Sequence, residues 1–297
     1  MAVSEQAMRQ VPVPALDPRA QGAFARLLRS LLKRPLALVS CVILLAAVVS
    51  AVLAPLIAPA DPTAVDFLNI LKPPFTPHHL LGTDELGRDE LSRIIYGAQV
   101  SLLVGAVGAA SAVGIGLLLG SIAGYFGGLA DSIIMRLVDV QLSFPFILLV
   151  LTVNAVMGLG IRNIIISLVI AGWATFARLT RGEVLKVKQL DYIAAAIATG
   201  ASPARIIRRH VIPNVLAPVL VLGTLQVSQF MIAEATVSYL GFGVQPPTPA
   251  WGNMLAEGET YFYTAWWMMV LPGVALLMVS LSVNFLGDWL RERIGMS

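Results

Sequence analysis

Apolar and polar positions along this chain fall into long blocks. Leu36 to Ala58, Ala98 to Gly124 and Thr264 to Gly287 contain no Asp, Glu, Lys or Arg, and each is 23 residues or more. A helix rises about 1.5 Å per residue and needs roughly 20 residues to cross the hydrocarbon of a bilayer. All three blocks are long enough. Three further apolar stretches, 137–157, 161–180 and 215–240, each tolerate an ionisable residue. The pattern therefore predicts an all-α integral membrane protein with six transmembrane helices. It divides into a polar tail over 1–35 (1–23 disordered), a first span with a large loop over 36–97, a five-span core over 98–287, and a short tail over 288–297.

Composition agrees, with 57% apolar and 12% charged residues, against about half and about a quarter in a soluble domain. Cys41 is the only cysteine, which excludes an intramolecular disulfide and a cysteine zinc site. Some 35 mostly polar residues precede the first block, and that block exceeds a signal peptide's apolar core, so it reads as a retained span. The net charge of +3 is spread over loops flanking the spans, which argues against a nucleic-acid partner. Placing both termini in the cytoplasm puts sixteen Lys and Arg residues inside and four outside, the asymmetry expected of cytoplasmic loops.

The loops and helix faces give further expectations. In the outer 59–97 segment, Asp84, Glu85, Asp89 and Glu90 lack the spacing of a calcium loop and read as solvated. Adjacent His78 and His79 make a poor metal pair. Gly116, Gly120 and Gly124 recur every four residues, a face on which another helix can pack closely. Pro145 and Pro272 predict kinks. Arg136 and Asp139, three residues apart, are placed to pair on one helix face. Thr248 and Pro249 read as the start of a short helix. Tyr261, Tyr263, Trp266 and Trp267 suit an interfacial aromatic belt.

No zinc-protease, nucleophile-elbow or phosphate-loop motif occurs, and nothing in the chain predicts a catalytic, cofactor or metal site of its own. Glu234 lies about 30 Å along the fifth span from Asn214. As an intramembrane carboxylate it is a candidate for a translocation path or gate.

The most informative segment is DYIAAAIATGASPARIIRRHVIPN, 191–214. Asp191 reads as an N-cap, Gly200 as a left-handed helix terminator, and Ser202-Pro203 as a second start, with Pro213 ending that helix. The result is a hairpin with an alanine face (Ala194, Ala195, Ala196, Ala198) and a basic side (Arg205, Arg208, Arg209). Without a bulky apolar face it suits protein docking better than lipid binding.

The spacing of Ala195-Ala196, Gly200, His210, Pro213 and Asn214 resembles the EAA loop of ABC-transporter permeases. Ala194 stands at the usual Glu position and Ile212 at the usual Leu. HLLGTDELGRDELSRIIYGAQVSLLVG (79–105) and MIAEATVSYLGFGVQPPTPAWGNMLAEG (231–258) are similar to the C-type permease of the dipeptide/oligopeptide/nickel uptake family, so the likeness covers roughly 30–297. The resemblance implies a type I ABC importer permease fold in a bacterial or archaeal cytoplasmic membrane. It also implies a second related permease, two cytoplasmic ATPase subunits or domains that bind ATP and Mg, and an extracytoplasmic substrate-binding protein. The hairpin would be the coupling element. Gly200 would form its turn and Ala195, Ala196 and Ala198 the docking face. Arg205, Arg208 and Arg209 would meet acidic groups, while His210, Pro213 and Asn214 fix it to the fifth span. Di- or oligopeptide import is the expected function. A nickel or other small-solute importer of the same design and a stand-alone secondary transporter are the alternatives.

Overall fold

The structure is a computed structural model that describes residues 34–293. The expected disorder of 1–23 and the last four residues of the 288–297 tail lie outside that range. Among the described residues, α1 (Pro35–Val52) and the short α2 (Ala54–Ile57) make the first span. The long α3 (Glu90–Phe126) is the second. Next come α4 (Gly128–Leu142), α5 (Phe146–Met157) and α6 (Ile161–Val187). A hairpin of α7 (Asp191–Ala198) and α8 (Pro203–Ile206) leads into α9 (Ile212–Tyr239). The chain closes with α10 (Trp251–Thr260) and α11 (Trp267–Arg293). Five helices are long and apolar enough to cross a membrane, and a sixth crossing arises if the bent pair α4–α5 counts as one. No strand occurs among the described residues beyond two isolated bridges.

The bundle is organised by the contact of α3 with α6, its most extensive helix pair. Gly116, Gly120 and Gly124 all face α6. A Cβ on Gly120 would lie 2.5 Å from the Ala177 carbonyl oxygen, and one on Gly124 would lie 2.8 Å from Val184 Cβ. At Gly116 it would collide with Phe176. Small residues let two backbones meet where lipid supplies no hydrophobic drive between helices. Gly120→Leu should therefore force the pair apart, an overpacking cost of about 1–3 kcal/mol or more. Detergent-solubilised protein should melt lower, whereas Gly114→Leu, which meets nothing within 4 Å, should melt like wild type. Equal melting of the two variants would show that the seam is loose.

The glycine contacts also fix direction. Gly116 opposes Phe176 and Gly124 opposes Val184, so α3 and α6 run parallel. Ser101 near the start of α3 bonds Glu234 near the end of α9, so α9 returns. Gly287 packs on Thr224 and Leu225, and Glu292 pairs with Arg34. The α7–α8 hairpin, the beginning of α1 and the end of α11 thus share one end of the bundle.

The third span departs from a simple kink. Its two helices meet at 94° across Ser143 to Pro145. Proline disfavours helical backbone in the residue before it and lacks a donor itself. Asp139 pairs with Arg178 on α6 instead of with Arg136, because α4 turns this face toward α6. Gln141 Nε2 donates to the Ala171 carbonyl at 2.9 Å across the same contact.

Two loop expectations are also corrected. The short helix expected at Thr248 begins at Trp251, held by Asn253, which accepts from Ala250 N–H at 3.0 Å and donates to Thr248 O at 2.9 Å. Trp267 is buried within the protein instead of facing lipid, and its indole N–H donates to Thr83 O at 3.0 Å.

Candidate functional site

Beyond the ends of α3 and α6 the hairpin forms a small projecting unit. Leu190, with extended backbone, occupies the cap position of α7, and Asp191 falls in the first turn, where a carboxylate favours the helix dipole. That corrects the expected cap by one residue. Gly200 has φ +79°, and nothing lies within 4 Å of where its Cβ would be. The constraint there is backbone conformation, not space. Ser202 stands extended before Pro203, although its hydroxyl makes no cap bond.

A buried seat anchors the unit. Ile193 from α7, Ile206 from α8, and Val211 and Val215 beyond it pack with Val184 and Val187 of α6. Lys188 Nζ donates to the Tyr125 carbonyl at 2.6 Å, tying in the end of α3. With the apolar side used this way, Ala195, Ala198, Arg205, Arg208, Arg209, Pro213 and Asn214 are exposed. Ala196 is half-buried against the seat. The His210 ring lies 6.0 Å from that of Tyr192, and Asn214 Nδ2 donates to the His210 carbonyl at 2.6 Å.

One sequence expectation fails here. Pro213 does not end the second helix. Residues Ile207–Val211 form a π-helical turn that joins α8 to α9, and Pro213 lies in the first turn of α9. The Ile212 N–H reaches back five residues to the Ile207 carbonyl. This wider turn accommodates a ring that would clash with a carbonyl four residues earlier. The hairpin's second arm and the fifth span form one continuous helix, Pro203–Tyr239.

At the opposite end, three of the acidic residues expected to be solvated, Asp84, Asp89 and Glu90, are buried, and Glu85 is half-buried. Asp84 receives Arg88 Nε at 2.5 Å and a guanidinium nitrogen of Arg93 on the same oxygen. Glu257 of α10 receives Arg93 Nη2 at 2.6 Å and Arg88 Nη2 at 3.2 Å. Glu85 joins at 2.9 Å from Arg88, and burial followed by the charge of Asp84 pushes its carboxyl above the ordinary range. Asp89 caps α3 by accepting from Ser92 N–H at 2.9 Å and approaches His79 Nδ1 at 3.0 Å. Asp84, Glu85 and Glu257 lie close enough to share an ion, but the two arginines already occupy oxygens of all three. This knot fastens the 59–97 loop to α3 and α10.

Glu234 is buried inside the subunit. It accepts from Ser101 Oγ of α3 at 3.0 Å and from Ser238 Oγ at 2.8 Å. Ser238 Oγ in turn accepts from Val244 N–H at 3.1 Å. The carboxylate thereby joins two helices to the loop after α9.

A parallel α3–α6 core carries the hairpin at one end and the buried ion-pair knot at the other. Residues 116–296 match the family described as the binding-protein-dependent transport system inner membrane component, and 23–74 match the N-terminal transmembrane domain of oligopeptide transport permease C. The chain belongs to this family of multi-pass inner-membrane permeases. It is 41% identical to the di/tripeptide transport system permease protein DppC of Pseudomonas aeruginosa, over 82% of either chain. It is 38% identical to the dipeptide transport system permease protein DppC of Bacillus subtilis, over 90% of this chain and 83% of that one. Among solved structures, the inward-facing MetNI methionine ABC transporter has a permease-like chain with TM-score 0.54 and 21% identity, covering 68% of this chain and 95% of its own. The architecture is that of an ABC importer permease.

Proposed function

We propose that this chain is the membrane subunit of an ATP-driven importer of di- or oligopeptides, and that the 191–214 hairpin receives the motion of separate ATPase subunits. The observation that carries the coupling role is the continuity of the hairpin's second arm with α9. A rigid body seated on α6 and fused to a span transmits force, whereas a flexible loop dissipates it. The exposed alanines let a partner backbone approach, and Arg205, Arg208 and Arg209 offer charges to acidic groups on it. Peptide as substrate is supported by the names of the relatives.

In this reading both chain termini and the hairpin are cytoplasmic, consistent with the distribution of Lys and Arg. A second related permease completes the pathway, a binding protein docks outside, and ATP with magnesium resides on two ATPase partners. Glu234 acts at the gate as a tie: it holds α3, α9 and the loop after α9 in one arrangement.

Gly200→Val tests the coupling. A β-branched residue at positive φ costs about 1–3 kcal/mol locally, enough to reshape the turn without reaching the buried seat. Reconstituted transporter should insert and assemble, yet lose peptide uptake relative to ATP hydrolysis. Gly200→Asn, which tolerates this backbone region, should retain most uptake. Normal uptake by the valine variant would remove the coupling role from the hairpin.

A further inference from the structure

We propose that Glu90 is a proton-operated latch: the knot holds the 59–97 segment on α3 and α10 while this carboxyl is protonated, and loosens when rising pH ionises it. Glu90 opens α3 ahead of the charge-free block 98–124. The helix has 37 residues, roughly 55 Å at the usual rise, against about 30 Å of hydrocarbon. Its first two turns therefore stand clear of the crossing.

The knot holds more carboxyls than cations. Asp84, Glu85, Glu90 and Glu257 face Arg88 and Arg93, while Asp89 is engaged separately by Ser92 and His79. The bonds of both guanidinium groups go to Asp84, Glu85 and Glu257. Glu90 is 1% exposed, and neither of its oxygens receives a hydrogen bond from any described residue. A helix N-terminus favours negative charge, but Asp89 makes the capping bond there. An enclosed carboxylate without a donor loses its hydration uncompensated, so burial wins. It pushes the Glu90 carboxyl up to about 8; Arg93 opposes the rise, and Asp84, Glu257 and Glu85 add to it.

Ionisation has a defined consequence. Arg93 follows three residues later on the same helix face. Its terminal nitrogens hold Asp84 and Glu257, and its Nε has no acceptor. A charged Glu90 competes for this guanidinium, which weakens the bridge from the loop to α10. Once the knot opens, Glu90 ionises at an ordinary carboxyl's value of about 4.3. The closed state thus binds the proton more tightly, and its stability falls as pH rises toward about 8, then levels off. Glu85, raised likewise, adds to the slope.

The test is limited proteolysis of the 59–97 segment in the purified full chain, corrected for the protease's own pH dependence. Between about pH 5 and about pH 8, each unit should multiply the opened fraction by up to about tenfold in wild type. Glu90→Gln, which keeps the shape and cannot ionise, should flatten most of that rise and resist cleavage better at the alkaline end. The infrared difference between the two proteins should contain a protonated-carboxyl band at neutral pH that disappears above about pH 8. Should Glu90→Gln fail to fold, Glu90→Met and the infrared titration of wild type decide. None of these readouts involves transport, so they test the latch apart from what the chain carries. An equal pH slope in both proteins, or the absence of a carboxyl titrating in that range, would overturn it. So would cleavage that speeds up on chelation and slows again with calcium or manganese, because a metal ion would then balance the surplus charge.

Discussion

Arg93→Met should destabilise the permease by about 3–5 kcal/mol, the scale expected when one partner of a buried ion pair is removed. Arg93 is 2% exposed and bridges Asp84, which is fully buried, to Glu257 on α10. Methionine matches the stem but leaves two carboxylates facing Arg88 alone. Arg88 already serves Asp84 and Glu85 and reaches Glu257 only at 3.2 Å. Arg93→Lys should recover little, because a single ammonium cannot present the planar fork that spans both acceptors. Adding Asp84→Asn to Arg93→Met should recover part of the loss by removing one uncompensated charge. The measurements are thermal unfolding in detergent and limited proteolysis of the 59–97 segment, which should become the first site of cleavage. An unchanged melting temperature with a protected loop would mean that Trp267 and the surrounding apolar contacts hold this end without the knot.

This knot was invisible in the sequence for a physical reason. Asp84 and Glu85 sit in a loop with Pro and Gly nearby, where carboxylates are ordinarily solvated. The group that buries them, Glu257, is 164 residues away from Arg93 in the chain. Trp267 was misplaced for the same reason: an aromatic at a span's end suits the interface unless a loop folds over it. Local grammar was far more informative. Charge-free blocks located the spans because hydrocarbon admits few alternatives to a helix. Gly116, Gly120 and Gly124 announced a close contact, though only coordinates could name α6 as the partner. Gly200 required a turn, and its φ of +79° is what that residue permits. Pro145 marked a break but not its 94° angle, which depends on α4 laying Asp139, Gln141 and Asp131 against α6. Pro213 was read by the rule that proline stops a helix. The π turn is the exception that the local sequence does not advertise.

That turn yields the sharpest test of the coupling proposal. Inserting one alanine between Val211 and Ile212 should abolish peptide uptake, because each added residue rotates the preceding helix by about 100° about the axis of α9. Ile193 and Ile206 would swing off Val184 and Val187, and the arginine side would face a new direction. Deleting Arg208 should be far milder. The π turn carries one residue more per turn than an α-helix, so removing one lets it relax to α-helical closure while the flanking segments keep their register. The residual loss would reflect one surface charge and renewed crowding by Pro213. Both variants are compared by uptake and peptide-stimulated ATP hydrolysis after reconstitution with the partner subunits. The rigid-lever reading requires the insertion to be the more damaging by a wide margin. If the insertion transports normally, the hairpin moves independently of α9, and force must enter the bundle through its seat on α6 instead.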